Sequence, residues 1–231
     1  PRSTLSSSSA ASDVYKRQTI QQAHDRSLEN DTNLQKIIEL VGRFRKKDNE
    51  TPIILMGYIN NFLTYKDLIN SSHKVGVDGV LVVDIPGELS LKAYGIDNED
   101  LDIISLISPT TSKDRIQEII SNSSGFIYYI TLRGVTGSSH LDEKEIEKNI
   151  DYIKSITTTP VMAGFGIKSK DDVQLLSSFS DGVVIGSSIV ELIHKNSENI
   201  FKELNKKFVI YAPRSFAESL YHSLIEAAKS I

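Results

Sequence analysis

The sequence predicts an α/β fold in which helices alternate with parallel strands. Segments with apolar residues spaced i, i+3, i+4, i+7 alternate with short, continuous apolar runs from Thr19 onward. Continuous apolar runs are typical of strands buried on both faces, as in a parallel sheet covered by helices. Several of these runs end in glycine-bearing turns. We therefore expect repeated strand-helix units, with the turns at the carboxyl ends of the strands.

The helices are predicted from their apolar spacing and their capping residues. One helix follows an N-cap at Asp31 or Thr32, because apolar residues then occur at positions 34, 37, 38, 41 and 44. Ser169 and Asp172 have the spacing of a capping box, which predicts a helix at 169–178. Further helices are expected at 62–74, ending at Gly76, at 112–121 and at 143–157, and one or two closing helices at 200–231.

The apolar runs number about six, which allows two architectures. A doubly wound sheet accepts six strands, whereas a closed (β/α)₈ barrel needs two more. The chain has no Gly-x-Gly-x-x-Gly turn to support a dinucleotide fold, and its Ser-rich residues 1–18 resemble a translated sequencing-library adapter. We expect a (β/α)₈ TIM barrel of the phosphate-binding type, lacking about its first two strands. The strands are expected at 52–58, 79–86, 101–109, 125–131, 160–167 and 182–189.

The expected domain organisation follows from the same observation. Residues 1–18 are interpreted as a non-native or disordered segment, and residues 19–231 as an incomplete TIM-barrel domain. Resequencing the source locus tests this, since a natural codon run through Gln18 would contradict it.

Composition excludes several classes of function. The net charge of -4 argues against a nucleic-acid surface, which normally shows a clustered basic excess. The absence of cysteine excludes disulfides and thiolate chemistry, and the five histidines do not have the spacing of a metal site. No apolar run approaches the roughly 18 residues of a membrane helix. We expect a cytoplasmic protein without a bound metal.

Three successive glycine-bearing turns are candidates for phosphate binding, because phosphate requires close approach by backbone N–H groups. Ser187 and Ser188 could also open a helix as N-cap residues, a role compatible with holding phosphate there. Turn geometry alone is an alternative explanation for the glycines. Both explanations remain open at this point. The turns contain Gly134, Thr136 and Gly137, then Gly164 and Gly166, then Gly186, Ser187 and Ser188.

Other side chains near strand ends are candidates for ligand contact or catalysis. The only conspicuous acid/base candidate is Asp84, for which turn capping or ion pairing is the alternative. Glu88 is expected in the first turn of a helix, and Arg133 either pairs with phosphate or lies in solvent. The pocket of an aromatic ligand could be lined by Tyr58, Ile107, Tyr128 and Phe165. Packing in the core is the alternative role for these residues.

From Thr19 to about Leu192 the chain resembles the α subunit of tryptophan synthase. The order and spacing of several motifs together carry this resemblance. They are Thr19-Ile-Gln21, Leu55-Met-Gly-Tyr-Ile-Asn60, Gly76-Val-Asp-Gly79, Val83-Asp-Ile-Pro86, Ser108-Pro-Thr-Thr111, Gly125–Gly137, Gly164–Ile167 and Gly186–Val190.

The resemblance implies a lyase of tryptophan biosynthesis, an aromatic amino-acid pathway. Lyases of this family cleave indole-3-glycerol phosphate to indole and glyceraldehyde 3-phosphate in a retro-aldol step. It also implies a heterotetramer of two α and two β subunits, in which the β subunit carries pyridoxal phosphate and the α chain no cofactor. Asn60 falls in the segment that faces the β subunit in this family.

The resemblance also implies site residues. The phosphate site corresponds to Gly137, Gly166, Gly186 and Ser187. The indole pocket and active-site loop correspond to Tyr58, Ile107, Tyr128, Thr136 and Phe165. The family's catalytic Glu and Asp lie upstream of the Thr-Ile-Gln motif, which here joins the adapter-like segment directly. We therefore expect no catalytic acid/base residue in this chain, and an inactive fragment.

Two departures from the family pattern and two rival functions complete the expectations. Thr131-Leu-Arg133 stands where the family often has a Ser-led triplet, and the tail after about Leu192 matches poorly. The rivals are a non-catalytic phosphate-ligand-binding or regulatory subunit, and another phosphate-binding barrel enzyme.

Overall fold

The computed structural model describes residues 8–96, 99–131, 143–164, 167 and 169–195. Helices and strands alternate through this part of the chain, as the periodicity predicts. The strands are β1 (Ile54–Gly57), β2 (Gly79–Val82), β3 (Asp102–Ile103), β4 (Ser105–Ile107), β5 (Ile127–Ile130), β6 (Val161–Gly164) and β7 (Gly182–Val184). The helices are α1 (Ser8–Glu29), α2 (Leu34–Arg45), α3 (Ile59–Thr64), α4 (Lys66–Ser71), α5 (Lys113–Ser121), α6 (Glu143–Ile156), α7 (Lys170–Ser177) and α8 (Ser187–Lys195).

All the strand pairs are parallel, and the strand order follows the chain order. One sheet has the order β1-β2-β3 and the other has the order β4-β5-β6-β7. Only Ile104 separates β3 from β4, and its N–H donates to the carbonyl of Val80 at 2.9 Å. The predicted strand at 101–109 is therefore one extended segment whose first half pairs with β2 and whose second half pairs with β5.

This strand order decides between the two predicted architectures. A doubly wound sheet reverses its strand order at a switch point, and no such reversal occurs among the described strands. When the strand order does not reverse, right-handed crossover connections place every helix on the same face of the sheet. The other face becomes the interior of a barrel. The architecture is that of a partial (β/α)₈ barrel, as expected.

The core lies between the sheet and the helices. Apolar residues of β4, β5 and β6 pack against isoleucines of α5 and α6 and against Leu176 of α7. A second cluster joins α2, β1 and β2 with Phe62 and Ile69. On the opposite face, Met56 of the edge strand β1 is 67% exposed, although its neighbour Leu55 is buried. Met56 thus marks the open side of the barrel interior.

The predicted helix at 62–74 is divided in the structure. Helix α3 ends at Thr64, and Tyr65 leaves helical geometry with φ -121° and ψ 36° before α4 begins. A 3₁₀ turn at Ser72–Val75 follows, and Gly76 ends it in the left-handed region with φ 101°. The stop at Gly76 is confirmed, while the continuous helix is wrong because apolar spacing does not reveal a single non-helical residue.

Two predicted helix starts also differ from the structure. The N-cap of α2 is Asn33, whose side chain accepts from the N–H of Lys36 at 3.0 Å, instead of Asp31 or Thr32. Asp31 adopts a positive φ of 54°, just after the end of α1. Glu88 lies in a turn that precedes a 3₁₀ helix at Leu91–Tyr94, and not in the first turn of a helix.

Other predicted elements are confirmed. Helices α5 and α6 coincide with the ranges 112–121 and 143–157 within a residue or so. Ser169 and Asp172 form the expected capping box of α7. Helix α1 runs through residue 18, so the expected boundary there is not a break in secondary structure. The closing helices at 200–231 lie outside the described residues.

Within the part of the chain that the structure describes, none of the helices is both long enough and apolar enough to cross a lipid bilayer.

Candidate functional site

The barrel interior is defined at β5 by two adjacent tyrosines. The hydroxyl of Tyr129 accepts a hydrogen bond from Nδ2 of Asn149 on α6 at 3.0 Å, so Tyr129 faces the helices. Side chains alternate along a strand, and Tyr128 therefore points into the interior. A Cβ built on Gly164 would lie 2.8 Å from Tyr128 Cε2 and 2.9 Å from its hydroxyl oxygen. Since Gly164 is the last residue of β6, the Tyr128 ring leans towards the carboxyl ends of the strands.

Burial controls the protonation of both phenols. It raises the pKa of Tyr128 above the ordinary value, because the phenolate would lose its hydration. Burial also raises the pKa of Tyr129, against an opposing hydrogen bond from Asn149. Tyr128 is consequently a neutral phenol at physiological pH. It can bound an apolar ring and offer one hydroxyl, but it cannot serve as a general base.

Gly186 forms an open turn between β7 and α8. Its carbonyl accepts the N–H groups of Ile189 at 2.9 Å and Val190 at 3.2 Å, which starts the helix. A Cβ built on Gly186 would have no atom within 4 Å, and Gly186 is not among the glycines of positive φ. Among the described residues, neither backbone geometry nor packing requires glycine here. Within the part of the chain that the structure describes, no atom blocks the approach of a ligand to this turn.

The two serines after Gly186 have different surroundings. Ser188 is 7% exposed, and its hydroxyl donates to the carbonyl of Ile167 at 3.1 Å, which ties α8 to the chain after β6. Ser187 is half-buried at the first helical position. The first N–H groups of a helix have no acceptor within the helix and carry partial positive charge. Ser187 is thus the serine available to a ligand, and Ser188 is structural.

Thr131 joins the ends of β5 and β6. It is fully buried, and both its N–H and its hydroxyl donate to the carbonyl of Gly164, at 2.7 and 3.0 Å. These two hydrogen bonds form a clamp, the Thr131 clamp, which directly precedes the segment 132–142 in the chain. Sequence comparison marks Thr131 only as a departure from the family triplet. No local pattern could have revealed a partner 33 residues away.

Tyr58 and Asp84 lie at the carboxyl ends of the neighbouring strands β1 and β2, respectively. Oδ1 of Asp84 accepts the N–H of Ile59, the first residue of α3, at 2.8 Å. The side chain of Tyr58 is 61% exposed at the same edge. The sequence allows three roles for Asp84: acid/base catalysis, capping of the turn that follows it, and ion pairing. The structure supports capping, but of the start of α3 after the neighbouring strand and not of the turn that follows Asp84.

Glu88 and Ile107 are the candidates that lie away from the interior. Arg115 of α5 pairs with the Glu88 carboxylate and holds its pKa below the usual range, so Glu88 does not act as a proton donor near neutral pH. Ile107 is fully buried in the cluster with Ile116 and Ile119 of α5. Alternation places its neighbour Leu106 on the interior side instead. The side chain of Ile107 therefore contributes to the core and is not exposed to a ligand.

The remaining candidates lie outside the described residues: Arg133, Gly134, Thr136, Gly137, Phe165 and Gly166. Across the described ranges, no group of three or more His, Asp or Glu side chains could hold a metal ion.

The fold belongs to the class of parallel α/β barrels, in which ligands bind at the carboxyl ends of the strands. The model of one family, described as tryptophan synthase alpha chain, matches residues 14–219. This match covers most of the 231 residues. The chain belongs to the tryptophan synthase alpha chain family, which is a family of lyases.

Individual relatives agree with this assignment. The tryptophan synthase alpha chain of Neisseria meningitidis serogroup B is 38% identical over 183 residues, which are 78% of this chain and 70% of the relative. That of Methylococcus capsulatus is 40% identical over 177 residues, covering 75% of this chain and 66% of the relative.

Solved structures give the same result. The alpha subunit from Legionella pneumophila has a TM-score of 0.66 at 30% identity, over 92% of this chain and 76% of its own. A chain from the a2b2 tryptophan synthase complex of Pyrococcus furiosus has a TM-score of 0.69 at 28% identity, over 90% and 81%.

Proposed function

We propose that this chain binds indole-3-glycerol phosphate, the substrate that the family cleaves to indole and glyceraldehyde 3-phosphate. The observation that carries the proposal is the open turn at Gly186. Gly186 is a glycine that neither φ nor the packing of the described residues requires, and Ser187 follows it at a helix start, an arrangement that suits a phosphate group needing close backbone approach. By family correspondence, Gly137 and Gly166 complete the phosphate site.

The indole ring is proposed to lie in the barrel interior below this turn. Tyr128 leans over Gly164 and offers one face of such a pocket, with a neutral hydroxyl at its rim. Tyr58 offers an exposed ring at the end of β1. Thr136 and Phe165 are the further pocket residues that the family correspondence proposes. Aromatic side chains suit an indole because offset and edge contacts between rings are favourable.

Cleavage makes demands that differ from those of binding. The bond between indole C3 and the glycerol chain breaks, a proton is added to C3, and the adjacent hydroxyl loses its proton as the aldehyde forms. A general acid/base typically contributes roughly 10²–10⁴-fold to such a step. The carboxylate of Asp84 already accepts the Ile59 N–H, and burial raises the pKa of Tyr128, which makes its phenol a weaker acid than an ordinary tyrosine. We propose that the 231 residues by themselves bind the substrate without cleaving it.

The proposed partner is a tryptophan synthase β subunit, in an assembly of two α and two β chains. The similarity to a chain solved in the a2b2 tryptophan synthase complex of Pyrococcus furiosus supports this. The segment that contains Asn60 is proposed to face the partner, and Leu63, which is 40% exposed, offers an apolar side chain nearby. Pyridoxal phosphate is assigned to the partner, so this chain requires no cofactor of its own. A cytoplasmic location fits a biosynthetic enzyme.

Calorimetric titration tests the binding proposal. The probes are indole-3-propanol phosphate, which cannot undergo the retro-aldol step, inorganic phosphate, and ribose 5-phosphate as a phosphorylated sugar without an indole. We expect indole-3-propanol phosphate to bind saturably and inorganic phosphate to bind more weakly. Ribose 5-phosphate should bind no more tightly than inorganic phosphate. Equal binding of ribose 5-phosphate and indole-3-propanol phosphate would favour a different phosphate-binding barrel enzyme.

A parallel assay of indole release tests the absence of turnover. The control is a full-length relative under the same conditions. Indole release at a comparable rate would overturn the proposal that this chain binds without cleaving.

A further inference from the structure

The backbone of Tyr58 is held on both sides by two consecutive residues of the next loop. On one side, the N–H of Val83 donates to the carbonyl of Gly57 at 3.0 Å. On the other side, the carboxylate of Asp84 accepts the N–H of Ile59 at 2.8 Å. Tyr58 lies between these two anchors. Its backbone direction is therefore set by the loop after β2, while its ring remains exposed.

Helix α3 has no cap of its own. Its N-cap position is Tyr58, whose side chain makes no capping hydrogen bond. A carboxylate at a helix start satisfies an otherwise unpaired N–H and interacts favourably with the helix dipole. Asp84 supplies this group from 25 positions further along the chain. The start of α3 thus depends on a residue from another strand.

The loop that carries Asp84 is itself anchored on α5. Glu88 pairs with Arg115, and Nδ2 of Asn122 donates to the carbonyl of Glu88 at 2.8 Å. Gly87 lies so close to Ile119 that an added Cβ would be 3.0 Å from Ile119 Cγ2. These contacts fix the loop from the helix side. Asp84 consequently has a defined position from which to hold Ile59.

We infer that Asp84 is a positioning residue for the ligand pocket: it holds the Tyr58–Ile59 backbone so that the Tyr58 ring stands at the mouth of the barrel. The inference rests on the proposed function, in which Tyr58 contacts the indole. Asp84 touches no substrate atom in this role. It acts through Tyr58, and its oxygen matters as a hydrogen-bond acceptor more than as a proton carrier.

The variants Asp84→Ala and Asp84→Asn separate these roles, because asparagine keeps an acceptor oxygen. The matched control is Asp114→Ala, which removes an exposed carboxylate from the first turn of α5. We expect Asp84→Ala to weaken binding of indole-3-propanol phosphate by roughly fivefold, the scale of a lost cap. Asp84→Asn and Asp114→Ala should stay within about twofold. Inorganic phosphate should bind all variants alike, since its proposed contacts lie at the Gly186 turn.

A double-mutant cycle with Tyr58→Ala identifies the route of the effect. If Asp84 acts through Tyr58, the loss caused by Asp84→Ala disappears when Tyr58 is already absent. Equal losses with and without the Tyr58 ring would overturn the inference. If Asp84→Ala weakens the binding of indole-3-propanol phosphate and of inorganic phosphate equally, the inference is also overturned, since that result indicates general destabilisation.

Amide hydrogen exchange at Ile59 gives a readout that needs no ligand. Asp84→Ala should accelerate exchange at Ile59 and at the first turn of α3, and leave β2 protected. Unchanged exchange at Ile59 contradicts the positioning role, whatever the binding results. If the unmodified chain binds neither probe, the proposed function fails, and the exchange data still decide whether Asp84 holds this backbone.

Discussion

Asp181 and Val161 are joined by two hydrogen bonds that run in opposite directions. The N–H of Asp181 donates to the carbonyl of Val161 at 2.9 Å, and the N–H of Val161 donates to Oδ2 of Asp181 at 2.8 Å. Asp181 immediately precedes β7, and Val161 is the first residue of β6. The pair therefore fastens two neighbouring strands at their amino ends, opposite the proposed ligand site.

The same arrangement occurs twice more among the residues that the structure describes. Asp78 exchanges two such bonds with Ile53, at 2.9 and 2.6 Å, and Ser124 does so with Ile103, at 2.8 and 2.9 Å. In each case the next residue is a glycine. These pairs fasten neighbouring strands at their amino ends, whereas the proposed ligand site lies at the carboxyl ends.

The first prediction concerns the Asp181–Val161 pair. Asp181→Ala should lower the free energy of unfolding by about 1–2 kcal/mol, because the buried N–H of Val161 loses its acceptor. The measurement is chemical denaturation monitored by circular dichroism. As a control, Asp151→Ala removes an exposed carboxylate from α6 and should change stability by less than about 0.5 kcal/mol. Equal effects of the two variants would contradict the role of this pair.

The second prediction is the pH dependence of the same residue. The hydrogen bond from Lys154, and then that from Val161, lower the pKa of Asp181 in the folded state. The unfolded value is about 3.9, so the stabilisation is complete above roughly pH 5 and is lost as the pH falls through the folded pKa. The stability difference between the unmodified chain and Asp181→Asn should shrink on acidification. A difference that stays constant down to about pH 3 would argue against this linkage.

The third prediction concerns Arg45, whose partly buried side chain lies beside the amino ends of β1 and β2. Its guanidinium donates to the carbonyls of Gly76 and Thr51 and to the carboxylate of Asp78, at distances of 2.6 to 2.8 Å. Lysine cannot reproduce this fork of donors, so Arg45→Lys should cost about 2–3 kcal/mol of stability. The exposed Arg43→Lys is the control. Thermal unfolding midpoints that match for the two variants would refute the prediction.

The fourth prediction compares two glycines at the carboxyl ends of β6 and β7. Gly164→Ala places a methyl 2.8 Å from both the Tyr128 ring and Val184, and should destabilise the chain by about 1–3 kcal/mol. Gly186→Ala meets no atom of the described residues within 4 Å and should change stability by less than about 0.5 kcal/mol. It should nevertheless weaken inorganic phosphate binding about tenfold, because a methyl blocks close backbone approach. Normal phosphate affinity of Gly186→Ala would remove the main support for the phosphate site.

The fifth prediction concerns the Thr131 clamp. Thr131→Val keeps the shape but removes the hydroxyl that donates to Gly164, whereas Thr131→Ser keeps it. We expect Thr131→Val to lower the free energy of unfolding by about 1 kcal/mol and to weaken indole-3-propanol phosphate binding more than Thr131→Ser does. The readouts are denaturation and calorimetry. The opposite order of the two variants would show that packing, and not the hydrogen bond, matters here.

Much of the fold could be predicted because its determinants are local. The capping box at Ser169 and Asp172 follows from short-range hydrogen bonding, as does the helical stop at Gly76. The break at Tyr65 and the start at Asn33 could not be resolved, because neighbouring residues compete for nearly equal local geometries. Ile107 and Tyr128 are indistinguishable as apolar strand residues. Only the pairing register assigns one to the core and the other to the interior.

The sequence by itself determined the alternation of helices and parallel strands, the glycine turns and the family, since each depends on composition, spacing and motif order along the chain. Tertiary structure decided the rest. The unreversed strand order established a barrel interior, the packing of the described residues left open space at Gly186, and Asp84 became the cap of a helix 25 positions earlier. The physical reason is that these properties arise from contacts between residues distant in sequence, whose geometry no local pattern encodes.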